Sequence, residues 1–166
     1  APFGIGLHIY GKDNVVAQTA DLLTAGDGAV GIRIDGKGND VTLAKGAAIA
    51  ADGRSGAGIL VAYGKDHRIA SQGRIQALGE GGIGVRFDFG GNTIGDDTEY
   101  RGSYIWGDRV SGAWYDINAA DDLSGLPLNL NGPLVESFDL SGELAGRAAA
   151  VYISENAYVK RINILS

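Results

Sequence analysis

A short glycine-led segment recurs along this chain at a nearly constant interval, and this repeat limits the folds open to it. The leading glycines of the four clearest copies, Gly6, Gly31, Gly58 and Gly84, are 25, 27 and 26 residues apart. A weaker fifth copy covers residues 150–156. A unit of this length is too small to bury a core alone, so the copies must stack on one another.

Apolar residues alternate with other residues inside each copy, which predicts a β-strand with one buried face. The inward positions are Leu7 and Ile9, Ile32 and Ile34, Ile59 and Val61, Val85 and Phe87, and Val151 and Ile153. The opposite face carries His8, Arg33, Leu60, Arg86 and Tyr152. Each strand ends at a glycine-rich turn, where a positive φ is often required.

Two further apolar groups lie in each period, so that about 26 residues hold two or three short strands. The first of these groups contains Val15 and Val16, Val41 and Leu43, Ile69, Ile94, and Val159. The second contains Leu22 and Leu23, Ala48 and Ile49, and Ile75 to Leu78. This is the content of one rung of a parallel β-helix. Antiparallel hairpins are the alternative, but the turns are longer than hairpin turns and like residues recur at rung spacing.

A parallel coil would bring one polar position of every turn into a single column. The residues at that position are Asn14, Asn39, His67, Asn92 and Asn156. Stacked asparagines can hydrogen-bond amide to amide along the axis of a coil. The alternative is that they are separate asparagines on the surface of the turns.

The repeat is interrupted at about residues 93–131, inside what is otherwise a single β-helix segment of residues 1–166. Four aromatic residues in this excursion, Tyr104, Trp106, Trp114 and Tyr115, form the candidate partner surface. Long loops on a repetitive scaffold often carry function, and tryptophan and tyrosine are enriched at binding hot spots. The alternative is that these rings only cover the hydrophobic side of the coil.

Composition excludes several classes of function. A net charge of −6 argues against nucleic-acid partners and against anionic membrane surfaces. No apolar run is long enough to insert directly into a membrane. The chain has no cysteine, which excludes disulfides and cysteine metal sites and suits a chain threaded unfolded through a narrow pore. Because the first residues already lie inside a repeat, we expect a fragment or a processed piece of a longer protein.

Four segments resemble repeats of bacterial autotransporter passenger domains, most closely the β-helical stalk of the subtilisin-like serine-protease autotransporters. They are GIGVRFDFGGN (82–92), LVAYGKDH (60–67), NGPLV (131–135) and AAAVYIS (148–154). The repeats predict an all-β coil of about five to six rungs, and the resemblance implies that it is a right-handed parallel β-helix. It also implies a bacterial cell-surface or extracellular location reached by outer-membrane secretion, as in virulence-associated passengers. The expected function is a stalk that displays an adjacent protease or adhesive domain of the same polypeptide, or that binds a host surface ligand.

We expect no catalytic, cofactor or metal site in the chain itself. Ser55 lacks a nucleophile-elbow motif, and His8 and His67 are expected to be surface residues. The segment from Gly81 begins like a calcium-binding roll, but Arg86 occupies the position of the required aspartate.

The best enzyme alternative is a polysaccharide lyase or hydrolase, because parallel β-helices often carry those activities. Its candidate residues are Arg33 and Asp35 together with Arg86 and Asp88, which could line a carbohydrate groove. We expect these four residues instead to form an exposed ladder of opposite charges.

Overall fold

The computed structural model describes residues 2–89 and 132–165, together with four short strands between them of which only the backbone pairing is described. No helix that could span a membrane occurs among the described residues. In chain order, the strands are β1 (Ile5–Ile9), β2 (Val15–Gln18), β3 (Leu22–Thr24), β4 (Val30–Ile34), β5 (Asp40–Leu43), β6 (Ala48–Ala51), β7 (Ala57–Val61), β8 (Lys65–Ser71), β9 (Arg74–Ala77), β10 (Ile83–Phe87), β11 (Thr93–Ile94), β12 (Asp97–Thr98), β13 (Ile105–Gly107), β14 (Trp114–Asp116), β15 (Leu134–Leu140), β16 (Glu143–Gly146), β17 (Ala149–Ile153), β18 (Tyr158–Val159) and β19 (Ile162–Ile164).

Three parallel sheets run through the described part of the chain, and successive rungs add one strand to each. Sheet A has the order β1-β4-β7-β10-β17, and sheet C has the order β3-β6-β9-β16. Sheet B has the order β2-β5-β8-β15-β18, with β19 also paired to β15. Strands stacked in this way are those of a β-solenoid, which confirms the parallel arrangement and excludes the hairpin alternative for these sheets.

The strand register of sheet A places equivalent residues of successive copies directly above one another. Leu7 pairs with Ile32, which pairs with Ile59; Ile59 pairs with Val85, and Val85 with Val151. Ile32, Ile59 and Val85 are at most 1% exposed. The register confirms the predicted inward columns, and their buried members join the inward residues of sheets B and C in one hydrophobic core, whereas Ile153 lies in register with Phe87 but is 41% exposed.

The leading glycine of each repeat is required by close packing at the start of the sheet A strand. A Cβ atom on Gly31 would lie 2.4 Å from the Cγ2 atom of Ile49 and 2.5 Å from the carbonyl oxygen of Gly58. A Cβ atom on Gly58 would meet Ile75 and Gly84 in the same way. Any larger residue would have to displace the backbone of the next rung, which explains why glycine recurs at rung spacing.

The interruption of the repeat falls between a strand of sheet A and a strand of sheet B. The chain leaves sheet A after Phe87 and returns as β15, whose Phe138 pairs with Ile69. The prediction that Ile94 occupies this position is wrong, because Ile94 pairs antiparallel with Asp97. Ile94 was suggested because it follows the fourth turn closely in the sequence. The position in sheet B is instead taken by Phe138, which lies 44 residues further along the chain.

We expect the substitution Ile59→Asp to lower the free energy of unfolding by about 4 kcal/mol or more, because it places an unpaired charge inside a packed column. The measurement is urea unfolding followed by circular dichroism. The matched control is Leu23→Asp, at a side chain that is 77% exposed, which should change stability by only about 0.5 kcal/mol. Equal effects of the two substitutions would contradict the assignment of Ile59 to the core.

Candidate functional site

A ladder of polar side chains runs along the turns that connect sheet A to sheet B. The Oδ1 atom of Asn39 accepts hydrogen bonds from the backbone N–H and from the Nδ2 atom of Asn14, both at 3.0 Å. Each asparagine also donates its Nδ2 hydrogen to the carbonyl four residues earlier, Asn14 to Tyr10 at 3.0 Å and Asn39 to Asp35 at 2.6 Å. The predicted amide ladder is confirmed for these two rungs.

His67 continues the ladder by reproducing the hydrogen bonds of an asparagine. Its Nδ1 atom accepts the backbone N–H of Asn39 at 3.2 Å, in the place of an amide oxygen. Its Nε2 atom donates to the carbonyl of Tyr63, four residues earlier, at 2.9 Å. Since a carbonyl only accepts and a backbone N–H only donates, both contacts require neutral histidine with its hydrogen on Nε2.

The expectation that His67 is a surface residue is wrong, because its side chain is fully buried. Burial lowers the pKa of His67 below its ordinary value of 6.5, against opposing contributions from the Tyr63 and Asn39 hydrogen bonds and from Asp35 and Asp66. The signal in the sequence that pointed to burial was the spacing that His67 shares with Asn14 and Asn39. A histidine in a turn, taken by residue type alone, suggested a solvated side chain.

The remaining members of the predicted ladder have different outcomes. Asn156 donates its Nδ2 hydrogen to the carbonyl oxygen of Phe89 at 2.7 Å, and its Oδ1 atom accepts the hydroxyl of Ser154. Asn92 lies outside the described residues, so its membership stays a prediction.

The outer face of sheet A holds a charged cluster in which Arg33 and Asp35 are buried and His8 is exposed. The Oδ2 atom of Asp35 contacts the Nε atom of Arg33 at 2.9 Å and the Nε2 atom of His8 at 2.6 Å. Asp35 is completely buried, Arg33 is nearly so, and the second carboxylate oxygen of Asp35 has no hydrogen-bond partner. His8 remains partly exposed, as expected of a surface histidine.

The prediction of an exposed charge ladder is wrong at this cluster. Leu60 and Ala62 occupy the outward positions next to Arg33 and Asp35, and both are buried. Period-two alternation assigns residues to one face of a strand but does not say whether that face is covered. The apolar residues at the outward positions 60 and 62 were the sign that the outer face of sheet A is covered here.

A second charged pair, Arg86 with Asp88, lies two strands further along the same face. The Nε and Nη2 atoms of Arg86 donate to one oxygen of Asp88 at 3.0 and 2.8 Å. The guanidinium carbon of Arg86 also lies 5.5 Å from the centre of the Tyr152 ring, at a cation–π distance. Each arginine therefore binds the carboxylate two residues later in its own copy of the repeat.

Among the residues that the structure describes, no group of three or more histidine, aspartate or glutamate side chains has the arrangement of a metal site. An open groove of about 430 Å³ follows the turns between sheets B and C. Its lining includes Asp21, Gln72 and the exposed pair Arg74–Glu143, whose charged atoms lie 3.0 Å apart. None of the described residues that line this groove is aromatic, so none of them offers a ring on which a sugar could stack.

The candidate partner surface lies almost entirely outside the described residues. Strands β13 and β14 pair antiparallel and place Trp106 opposite Tyr115 and Gly107 opposite Trp114. Tyr104 lies outside the described residues, and the side chains of the other three do too. The assignment of these four aromatic residues to a partner surface stays a prediction.

Comparison with known proteins finds no family model, curated protein or solved structure that matches this chain.

We expect His67 to make the free energy of unfolding depend on pH between about 7.5 and 5.5, a window in which histidines titrate. His67 has a lowered pKa in the folded state, so the unfolded chain takes up the proton first as the pH falls. Stability should therefore fall through the unfolded pKa of 6.5, by at most about 1.4 kcal/mol per pH unit.

The measurement is the urea midpoint of the wild type and of His67→Asn across that range. Asparagine can keep the ladder contacts without titrating, so the variant should lose the part of the pH dependence that His67 contributes. Parallel pH profiles for the two proteins would contradict this assignment.

Proposed function

We propose that this chain is a structural stalk of a secreted passenger of the autotransporter type, which displays a neighbouring domain at the surface of a bacterium. The observation that carries the proposal is the continuous stacking of inward columns through all five strands of sheet A. Such a stack extends along a single axis, and the stacking itself supplies no catalytic group. It is suited to holding another domain at a distance.

The finer form of the proposed fold is a right-handed parallel β-helix of about five to six rungs. Right-handed crossovers between parallel strands are strongly favoured, because a right-twisted strand leads naturally into them. At about 4.8 Å between neighbouring strands, this number of rungs gives a rod about 25 Å long.

One feature of composition and one of the fold support secretion through an outer-membrane pore. The chain has no cysteine, so no disulfide can form before or during threading. Each rung that stacks outside the cell buries the apolar face of the rung before it, so folding itself would draw the chain outward. On the resemblance to subtilisin-like serine-protease autotransporters, we assign the proposed protease domain to sequence outside these 166 residues.

The alternative function is a carbohydrate-active β-helix enzyme, and the charge arrangement favours it less. A glycosidase of this kind uses two carboxyl groups that reach the scissile bond from either side. Asp35 is fully buried, and Asp88 is already bound by Arg86. These contacts favour a structural role for both carboxylates.

The insertion between β10 and β15 is the proposed place for partner contacts. It leaves and rejoins the coil at one turn, so its sequence can vary without changing the register of the rungs. We assign the partner surface to Tyr104, Trp106, Trp114 and Tyr115, with a neighbouring domain of the same polypeptide or a host surface ligand as partner. The chain inserts into no membrane and binds no nucleic acid under this proposal.

To test the stalk function, the chain can be fused between a secretion signal and the outer-membrane barrel of an autotransporter. We expect it to reach the surface of intact cells, as measured by added protease and by antibody labelling. Ile59→Asp should reduce the exposed amount severalfold because it prevents stacking, while Leu23→Asp should not. Retention of all three proteins inside the cell would contradict the proposal, as would polysaccharide turnover that Asp88→Asn abolishes.

To test the partner surface, binding of the chain to arrays of host matrix proteins and glycans can be compared with that of two variants. Trp106→Ala and Trp114→Ala should each weaken binding by at least about tenfold if the indole rings are hot spots. The matched control is Tyr10→Ala, at an aromatic side chain that is 61% exposed on the coil. Undiminished binding by both tryptophan variants would contradict the assignment.

A further inference from the structure

The outer face of sheet A is buried over its second and third strands, on the side away from the core. Leu60 and Ala62 occupy outward positions on and just after β7, and they are 1% and 0% exposed. Arg33 and Asp35, the outward residues on and just after β4, are 6% and 0% exposed. A side chain as large as leucine becomes fully buried only when other residues contact it from every direction.

The strands of sheets B and C do not lie over this face. Their inward residues share the main core with the opposite face of sheet A. Leu60 and Ala62 instead form, with Val30 and Ala57, a second buried apolar cluster that is separate from that core. The burial is reached within this one chain. The longest segment of the chain outside the three sheets is the insertion of residues 93–131.

Both ends of the insertion are held by one residue beside the buried part of this face. The Nδ2 atom of Asn156 donates to the carbonyl oxygen of Phe89 at 2.7 Å, and the carbonyl oxygen of Asn156 accepts the N–H of Gly132 at 2.8 Å. The Phe89 ring lies 5.1 Å from the ring of Tyr63, which directly follows Ala62. The insertion therefore begins one strand away from β7 and two from β4, about 5 and 10 Å. A few extended residues span that distance.

Charge favours a position of the insertion close to the corner between sheets A and B. Residues 93–131 contain seven aspartate and glutamate residues and two arginines, so they carry −5 of the net charge of −6. Lys12, Lys37 and Lys65 form one column along the turns at this corner, and the strand that follows the insertion pairs Leu134 with Lys65. Opposite charges at this range attract an acidic segment toward the column.

We propose that the insertion packs back onto the outer face of sheet A, over β4 and β7, and completes the second apolar cluster. Its contact with Leu60 and Ala62 would keep water away from the neighbouring Arg33–Asp35 pair, and attraction between charges is stronger where water is excluded. The inference is independent of the proposed stalk function. It is also independent of the proposed partner surface, because it assigns no face to individual residues of the insertion.

Photo-cross-linking of the unaltered 166-residue chain tests which residues lie over this face. The leucines are replaced during expression by a diazirine analogue of similar size, the protein is irradiated, and the links are located by mass spectrometry. We expect Leu60 to be linked to residues 93–131 of the same chain, in material with the mass of a monomer. The matched control is Leu43, an equally buried leucine of the main core, which should be linked to core residues and not to the insertion.

Three results of this experiment would overturn the proposal. Leu60 could be linked only to the strands of the three sheets, or it could be linked to a second copy in covalent dimers. The third result is the absence of links from Leu60 because water has quenched its diazirine, which would show that the face is open to solvent.

Thiol labelling gives a second and independent measurement, because the chain has no cysteine and an introduced one is the only thiol. Ala62→Cys should react with a maleimide at least about tenfold more slowly than Leu78→Cys, at a side chain that is 49% exposed. Replacement of residues 93–131 by a glycine–serine segment of equal length should then raise the rate at position 62 by at least about tenfold. Val61→Cys, at an inward position of the same strand, should stay protected in both backgrounds.

Fast labelling at position 62 in the chain with its own insertion would contradict the proposal. So would continued protection of position 62 after the replacement, while Val61→Cys also stays protected. If Val61→Cys becomes reactive as well, the coil has unfolded without its insertion, and the cross-links from Leu60 in the unaltered chain decide the question.

Discussion

Parallel pairing of each strand with its counterpart one rung away is the interaction on which the rest of this structure depends. It places every residue about 4.8 Å from the equivalent residue of the next repeat. Each position must therefore accommodate a near copy of itself as a neighbour. Apolar columns satisfy this condition by burial, and the leading glycines satisfy it because there is no room for a side chain at their position.

Polar residues in the coil meet the same condition in two different ways. In the turn, an asparagine is both donor and acceptor, so each can bind the next, and neutral His67 offers the same pair of functions. The charged residues of sheet A are arranged differently. The described arginine–aspartate pairs on sheet A instead form within one copy, Arg33 with Asp35 and Arg86 with Asp88.

The insertion after Phe89 follows from the same constraint. A turn can lengthen without penalty to the core if the chain returns to the correct register, which it does when Phe138 pairs with Ile69. Stacking limits the residues of the repetitive framework, and it sets no such limit on an insertion that rejoins the coil in register. This difference is the physical basis for proposing that the coil displays a neighbouring domain and that the insertion makes the partner contacts.

The sequence by itself determined the strand phase, the rung spacing and the members of the inward columns of sheet A, because period-two alternation repeated every 26 residues or so has few other solutions. It also identified the turn position shared by Asn14, Asn39 and His67. Only the tertiary structure decided the burial of His67 and Asp35, and the choice of Phe138 over Ile94 in sheet B. These outcomes depend on what packs against a face and on where a long insertion rejoins the coil, and neither is a property of local spacing.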